Sequence, residues 1–237
     1  PEVVLLNAPG AFASLVERDC VLDNHVKGMV TELFDKKGIK FLGWTEVGSV
    51  EYFGKKPLPN PKDFNGIKAA AYANKSSMLF FSTLGSAATP LGLPEWIPAF
   101  QTGMAEVVGT PITYALPSGL TKVAPVVTRL GLVFSPALTL INKSTFEKLP
   151  KPLQDALLRA NDKIPSSQFR TEIYNFEKVL YGMHEKAGGQ VVDITAEQRD
   201  AWLKALEPYH AKLVDEIGGS AKAMAAAIAA GRKACPK

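Results

Sequence analysis

Sulfur and imidazole are scarce in this chain: two cysteines, Cys20 and Cys235, and three histidines, His25, His184 and His210, in 237 residues. Two cysteines so far apart cannot make a Cys-rich zinc site, and no two histidines stand at i, i+4, so no metal or other cofactor is expected. In an oxidising compartment the cysteines can form one bridge; two unpaired thiols fit equally well, because spacing does not decide between them. No G-x-S-x-G, G-x-x-x-x-G-K-[ST] or G-x-G-x-x-G occurs. That removes the sequence signs of a nucleophile elbow, a P-loop and a dinucleotide fold. The histidines all fall in helical patterns, where each reads as a surface or interhelical residue, and no acid-base cluster accompanies them. Enzyme chemistry is disfavoured.

Long apolar runs are missing too. No run approaches the roughly 18 residues that cross a bilayer, and the first residues lack the basic start and apolar block of a signal peptide. The chain opens at Pro1 rather than Met, so an upstream portion is expected to have been removed. A large charge imbalance is also absent: 27 Lys and Arg against 23 Asp and Glu leave a net charge of +4. The basic residues are scattered in pairs such as Lys36-Lys37, Lys55-Lys56 and Arg232-Lys233, without interleaved aromatics. They read as solvated lysines and arginines, not a nucleic-acid face.

What is present is ample hydrophobic content, 46%, enough for a sizeable core. Apolar residues at helical spacing over 12–37 predict one or two helices stopped by Gly38. Ile39 to Trp44 and Val47 to Phe53 read as strands joined without a helix. From Asp63 the pattern becomes short strand, helix, short strand: 66–72, 76–84 and 88–91, then a helix at 94–101 and a strand at 104–108. This is the βαβαβ rhythm of a parallel sheet. Val126 to Asn142 is a second long extended stretch.

Beyond it the chain is mostly helical. Ser144-Thr145-Phe146-Glu147 reads as a capping box, and so does Thr195-Ala196-Glu197-Gln198. A helical pattern over 152–187 should be broken by Pro165, a short strand follows at 190–194, and the alanine-rich 220–232 is helix-prone. Asn74-Lys75-Ser76 and Asn142-Lys143-Ser144 match the glycosylation acceptor pattern, which is short enough to arise by chance. Two long extended stretches flank a compact βαβ block and carry the chain between two bodies. A two-lobed α/β shape with a hinge follows.

Three segments carry a family resemblance from Gly38 to about Arg159: GIKFLGWTEVGSVEYFGKKPLPNPKDFNGIK, LGSAATPLGLPEWIPAFQTGMAEVVGTP and INKSTFEKLPKPLQDALLRA. In order and spacing they resemble the DctP-type solute receptors of tripartite ATP-independent periplasmic (TRAP) transporters. The resemblance implies a periplasmic protein of two α/β lobes joined by strands. A small-molecule ligand closes between the lobes and is handed to a membrane permease, with no nucleic acid involved. It divides this chain into lobe I (1–47 and 136–175), lobe II (48–135 and 176–203) and C-terminal helices packing across both (204–237). Set against the family, the chain starts late, so the opening part of lobe I is expected to be missing.

Family members that bind carboxylates hold them with an arginine in the strand after the "GlK" turn, often with a second basic residue and an asparagine. The matching positions here are Ala70, Val50 and Thr110. The resemblance therefore places this chain in a subset without the arginine, whose ligands are apolar, uncharged or lipid-like. The expected ligand contacts are Trp44, Val50, Tyr52, Ala70, Tyr72, Asn74, Trp96, Thr110, Tyr114 and Phe134. The alternatives are a small organic acid held by another cation such as Lys68 or Arg129, an enzyme, and a module that signals to a membrane partner without transport.

Overall fold

The computed structural model describes residues 2–163 and 165–236. Its strands are β1 (Ile39–Gly54), β2 (Lys68–Ala71), β3 (Ala87–Pro90), β4 (Val107–Pro111), β5 (Val126–Asn142) and β6 (Gln190–Asp193). The helices up to the second long strand are α1 (Leu15–Val21), α2 (Lys27–Asp35), α3 (Lys75–Thr83), α4 (Trp96–Thr102) and α5 (Ile112–Ala115). After it come α6 (Lys143–Glu147), α7 (Lys151–Lys163), α8 (Ser166–Lys186), α9 (Ala196–Ala205), α10 (Glu207–Ile217) and α11 (Ala221–Ala234).

The strands form one mixed sheet in the order β3-β2-β4-β1-β5-β6. β2 runs parallel to β3 and β4, and β6 parallel to β5, whereas β1 is antiparallel to β4 and β5. The βαβαβ block expected from the pattern is therefore present, with α3 and α4 as its crossovers. The two expected strands before it merge into the single β1. Its ladder with β5 runs from Ile39 opposite Asn142 to Gly54 opposite Val126, with register shifts at Phe41/Gly43, Glu46/Gly48 and Val50/Tyr52. Such bulges bend a strand and release N–H groups from the ladder. Gly48 has φ +114°, a value open to glycine, and sits at the middle shift.

β4 pairs with β1 only over 50–54, and β6 with β5 only over 126–129. Past these points the two long strands continue as a two-stranded ribbon.

Helix ends follow local chemistry. Pro165 separates α7 from α8 as expected, since it has no amide proton to continue the first helix. The Thr195–Gln198 capping box is formed in both directions. The second expected box is not. Asn142, not Ser144, caps α6, its side chain accepting from the Thr145 N–H at 3.2 Å, so the helix starts earlier than the Ser-Glu spacing indicates. Asn74 caps α3 in the same manner, accepting from Ser77 at 2.8 Å. Both glycosylation-like triplets are thus helix starts, the asparagine preference arising from its short acceptor side chain.

The core lies on both faces of the sheet. Phe64, Phe80, Phe81, Trp202 and Tyr209 belong to a cluster on one face that also takes Ala69 and Ala71; Phe53, Trp96, Phe100 and Val108 form one with Ala70. Successive strand residues point to opposite sides, and both sides of β2 meet aromatic-rich helices. The three alanines are buried among these rings, 0%, 1% and 1% exposed.

Cys20 and Cys235 are joined by a disulfide with Cα atoms 5.9 Å apart, which resolves the open alternative and fastens the end of α11 to α1. Intact-mass measurement without reductant is expected to give the oxidised form. Reduction, or Cys20→Ser with Cys235→Ser, should lower unfolding stability by about 2–4 kcal/mol in denaturant titration, because the bridge closes a long loop of the unfolded chain.

Candidate functional site

Parallel strands β2 and β4 end at one edge of a cavity of about 290 Å3, the side of an α/β sheet where ligands commonly sit. Tyr72 and Asn74, just past β2, and Gly109 and Pro111 of β4 form one wall. Val47, Val50 and Tyr52 of β1 and Val133 and Ser135 of β5 form the floor; Phe80 and Phe81 of α3 and Val4, Asn7 and Pro9 of the N-terminal turn close the sides. Gly109 permits the closest approach, since a Cβ there would lie 3.0 Å from the Tyr52 ring. That ring stacks on Phe80 with centroids 5.3 Å apart and meets Phe64 edge-on, so its position is set by the core.

No residue lining this cavity carries a formal charge. Its phenols stay neutral: burial raises the pKa of Tyr52 well above the usual tyrosine value and also raises that of Tyr72. Most polar groups are already committed. The Ser76 hydroxyl lies 2.7 Å from that of Tyr209, Ser77 Oγ accepts from the Tyr72 N–H at 3.2 Å, and the Tyr72 hydroxyl is 3.4 Å from that of Thr110. Asn7 is the exception; its Oδ1 is buried without a hydrogen-bond partner.

Of the ten expected contacts, Val50, Tyr52, Tyr72 and Asn74 line the cavity, while the other six lie outside its lining. Ala70 is 1% exposed and packs beneath α4, so the room left by the alanines is filled by the protein's own aromatics. Trp96 is buried and forms edge-on contacts with Tyr72 and Tyr114, its indole N–H donating to the Leu91 carbonyl. Tyr114 donates to the Leu93 carbonyl, and Thr110 is buried behind Tyr72. Trp44 packs on Phe41 beside a separate cavity of about 210 Å3 near Phe169, and Phe134 packs against the larger core cluster. Trp44 and Trp96 are buried in packing, where large aromatics gain more free energy than at an open wall.

Asn7, Phe80, Phe81, Gly109 and Val133 were absent from the expected set. For Val133 a signal existed, as β5 must face the same side as Val50 once the two strands pair; for Asn7, at the end of a short 3-10 helix (Glu2–Asn7), none did.

Neither alternative cation reaches the cavity. Lys68 donates to the Gly103 carbonyl at 3.2 Å, and Arg129 pairs with Asp193 at 2.6 Å on the opposite face of the sheet. His184 and His210 do not line the cavity, and their ring nitrogens face the backbone carbonyls of Pro125 and Pro9.

The architecture is that of a two-lobed periplasmic binding protein. It superimposes with TM-score 0.87 on the ectoine-binding protein of the TeaABC TRAP transporter of Halomonas elongata, at 20% identity over 99% of this chain and 78% of that one. With a Roseobacter denitrificans TRAP solute-binding protein holding β-D-glucuronate the TM-score is 0.84, at 23% identity over 96% of this chain and 74% of that chain. Residues 1–216 match the model of bacterial extracellular solute-binding protein family 7, DctP, and the chain belongs to that family.

A solute-binding protein of Verminephrobacter eiseniae is 30% identical over 161 residues, 68% of this chain and 48% of that protein. The C4-dicarboxylate-binding periplasmic protein DctP of Rhodobacter capsulatus is 25% identical over 190 residues, 80% of this chain and 57% of that protein. The chain thus spans about half the length of these relatives. Among the described residues, no helix is long and apolar enough to cross a membrane.

Proposed function

We propose that this protein is a periplasmic receptor that closes on a small uncharged ligand and delivers it to a TRAP-type permease. The lobes are assigned as 1–47 with 136–175 and 48–135 with 176–203, and 204–237 lies across them. One observation carries the ligand class: the cleft has no charged lining residue. An ionised carboxylate buried there without a partner would lose several kcal/mol, several powers of ten in affinity. A neutral ligand gains about 0.8 kcal/mol for each methylene it buries, and the free Asn7 carboxamide supplies orientation. Ala70, in place of an arginine, and Thr110, in place of an asparagine, support membership of the subset that does not bind carboxylates.

The size narrows the class further. About 290 Å3 falls at the low end of ligand cavities, which run from about 300 to 1,000 Å3. A compact molecule fits better than a long acyl chain.

Native mass spectrometry of protein purified from its own periplasm, followed by titration of what is released, tests this. A neutral compound bound at micromolar affinity is the expected result; an organic acid bound that tightly, with no neutral compound found, sinks it. Gly109→Val should weaken binding of that compound at least about tenfold, near 1.4 kcal/mol, because the new side chain drives into the Tyr52 ring.

A further inference from the structure

Strand alternation gives β1 a second role. Val50 and Tyr52 face the cleft, while Ser49 and Glu51 face a cavity of about 510 Å3 on the reverse side, beneath α8. Two carboxylates close this cavity, Glu51 from β1 and Glu177 from α8, 3% and 4% exposed. Both hold N–H groups that the bulges release. Glu51 Oε2 accepts from Leu130 at 2.6 Å and Gly131 at 3.3 Å; Glu177 Oε1 accepts from Ser49 at 2.8 Å. The packing is close, since a Cβ at Gly48 would collide with the Glu177 carboxylate.

Among the described residues no cation comes within ion-pair distance of either carboxylate, because those nearby are engaged. Arg129 pairs with Asp193 of β6 and lies over the Tyr181 ring, and Arg199 of α9 donates to the carbonyls of Gly131 and Ala13. Arg18 of α1 is held by Glu46, Asp19 and the Tyr174 hydroxyl. Lys178 is exposed at the rim, and Tyr181, 7% exposed, adds a hydroxyl without a partner.

We propose that Glu51 and Glu177 form a proton-operated latch: with protons on them α8 stays packed on the hinge strands, and when both ionise α8 lifts off so that water reaches them. A buried carboxylate without a cation is costly, and two facing one cavity repel each other. A conformation that lets both hydrate binds protons less tightly, so rising pH shifts the population toward it. In support, burial raises Glu51 to about 8 and Glu177 to about 7, outweighing their backbone hydrogen bonds, and the carboxylates Glu177 beside the first and Glu46 beside the second raise them further. Arg129 pulls both the other way. The strand that α8 covers carries Val50 and Tyr52 on its other face, so lifting α8 removes the support behind the cleft floor.

Hydrogen exchange of the whole chain, corrected for the intrinsic pH dependence, tests the latch. Between about pH 6 and pH 9, segments 48–51 and 174–181 should lose about tenfold or more protection beyond any loss in α3 and α10, which share only the fall in global stability. The Glu51→Gln, Glu177→Gln double variant should keep its low-pH protection throughout. A flat profile for the unmodified protein, the same profile in the variant, or an equal loss in α3 and α10 overturns the proposal. Should the double variant not fold, carboxyl NMR of the unmodified protein decides. Titration midpoints of Glu51 and Glu177 that coincide with the exchange transition uphold the latch, and midpoints that do not refute it.

Discussion

Arg18→Met is expected to cost about 3–5 kcal/mol of unfolding free energy, measured by denaturant titration at neutral pH. Arg18 is fully buried, its guanidinium 2.7 Å from the equally buried Glu46 carboxylate and 2.6 Å from Asp19, with Tyr174 accepting at 3.0 Å. Burial works against its charge, but Glu46, Tyr174 and Asp19 together push its pKa up, so it is ionised throughout the accessible range. Methionine keeps most of the volume and removes the charge, leaving Glu46 buried with only the N–H groups of Val47 and Gly48. A Glu46→Gln partner mutation should restore part of the loss, as no lone carboxylate then remains. A loss below about 1 kcal/mol would show that water reaches this pair and that it behaves as a surface ion pair.

The second large effect is a pH dependence of global stability. Glu51 and Glu177 have folded-state pKa values near 8 and 7, above the ordinary glutamate value of 4.5. Between those limits the folded chain binds more protons than the unfolded one, so these two groups make stability fall as pH rises. Their contribution is most favourable below about pH 4.5 and is lost through pH 7 to 8. Replacing both with glutamine should flatten that slope and raise stability at pH 8 by on the order of 2 kcal/mol. The difference between the two stability–pH curves is the quantity to measure. A variant less stable than the parent at pH 8 would mean that the ionised carboxylates are held favourably after all. His210, whose pKa burial lowers, acts with the opposite sign and is common to both proteins, so it cancels in that difference.

Much of the fold was legible from local chemistry. The span Val126 to Asn142 is β5 as written, since β-branched and aromatic residues dominate it and the strand absorbs Gly131 and Pro136, and Pro165 parts two helices because it lacks an amide proton. The cap of α6 was misplaced because Asn142 and Ser144 offer similar oxygens and only the finished turn selects between them.

Four of the ten expected contacts lie at the cavity. Val50, Tyr52, Tyr72 and Asn74 line it, but Trp44, Trp96 and Ala70 went into packing, because nothing local tells an aromatic wall from an aromatic core.

By itself the sequence determined the order and type of most strands and helices and which family the chain resembles, because propensity, periodicity and breakers act within a few residues. Only the tertiary structure decided that Cys20 meets Cys235, that Val50 and Glu51 face different cavities, and that two glutamates sit where no cation among the described residues comes within ion-pair distance. Each of these depends on strand register and on partners far away in the chain, and the free energy of a buried group is set by what packs around it.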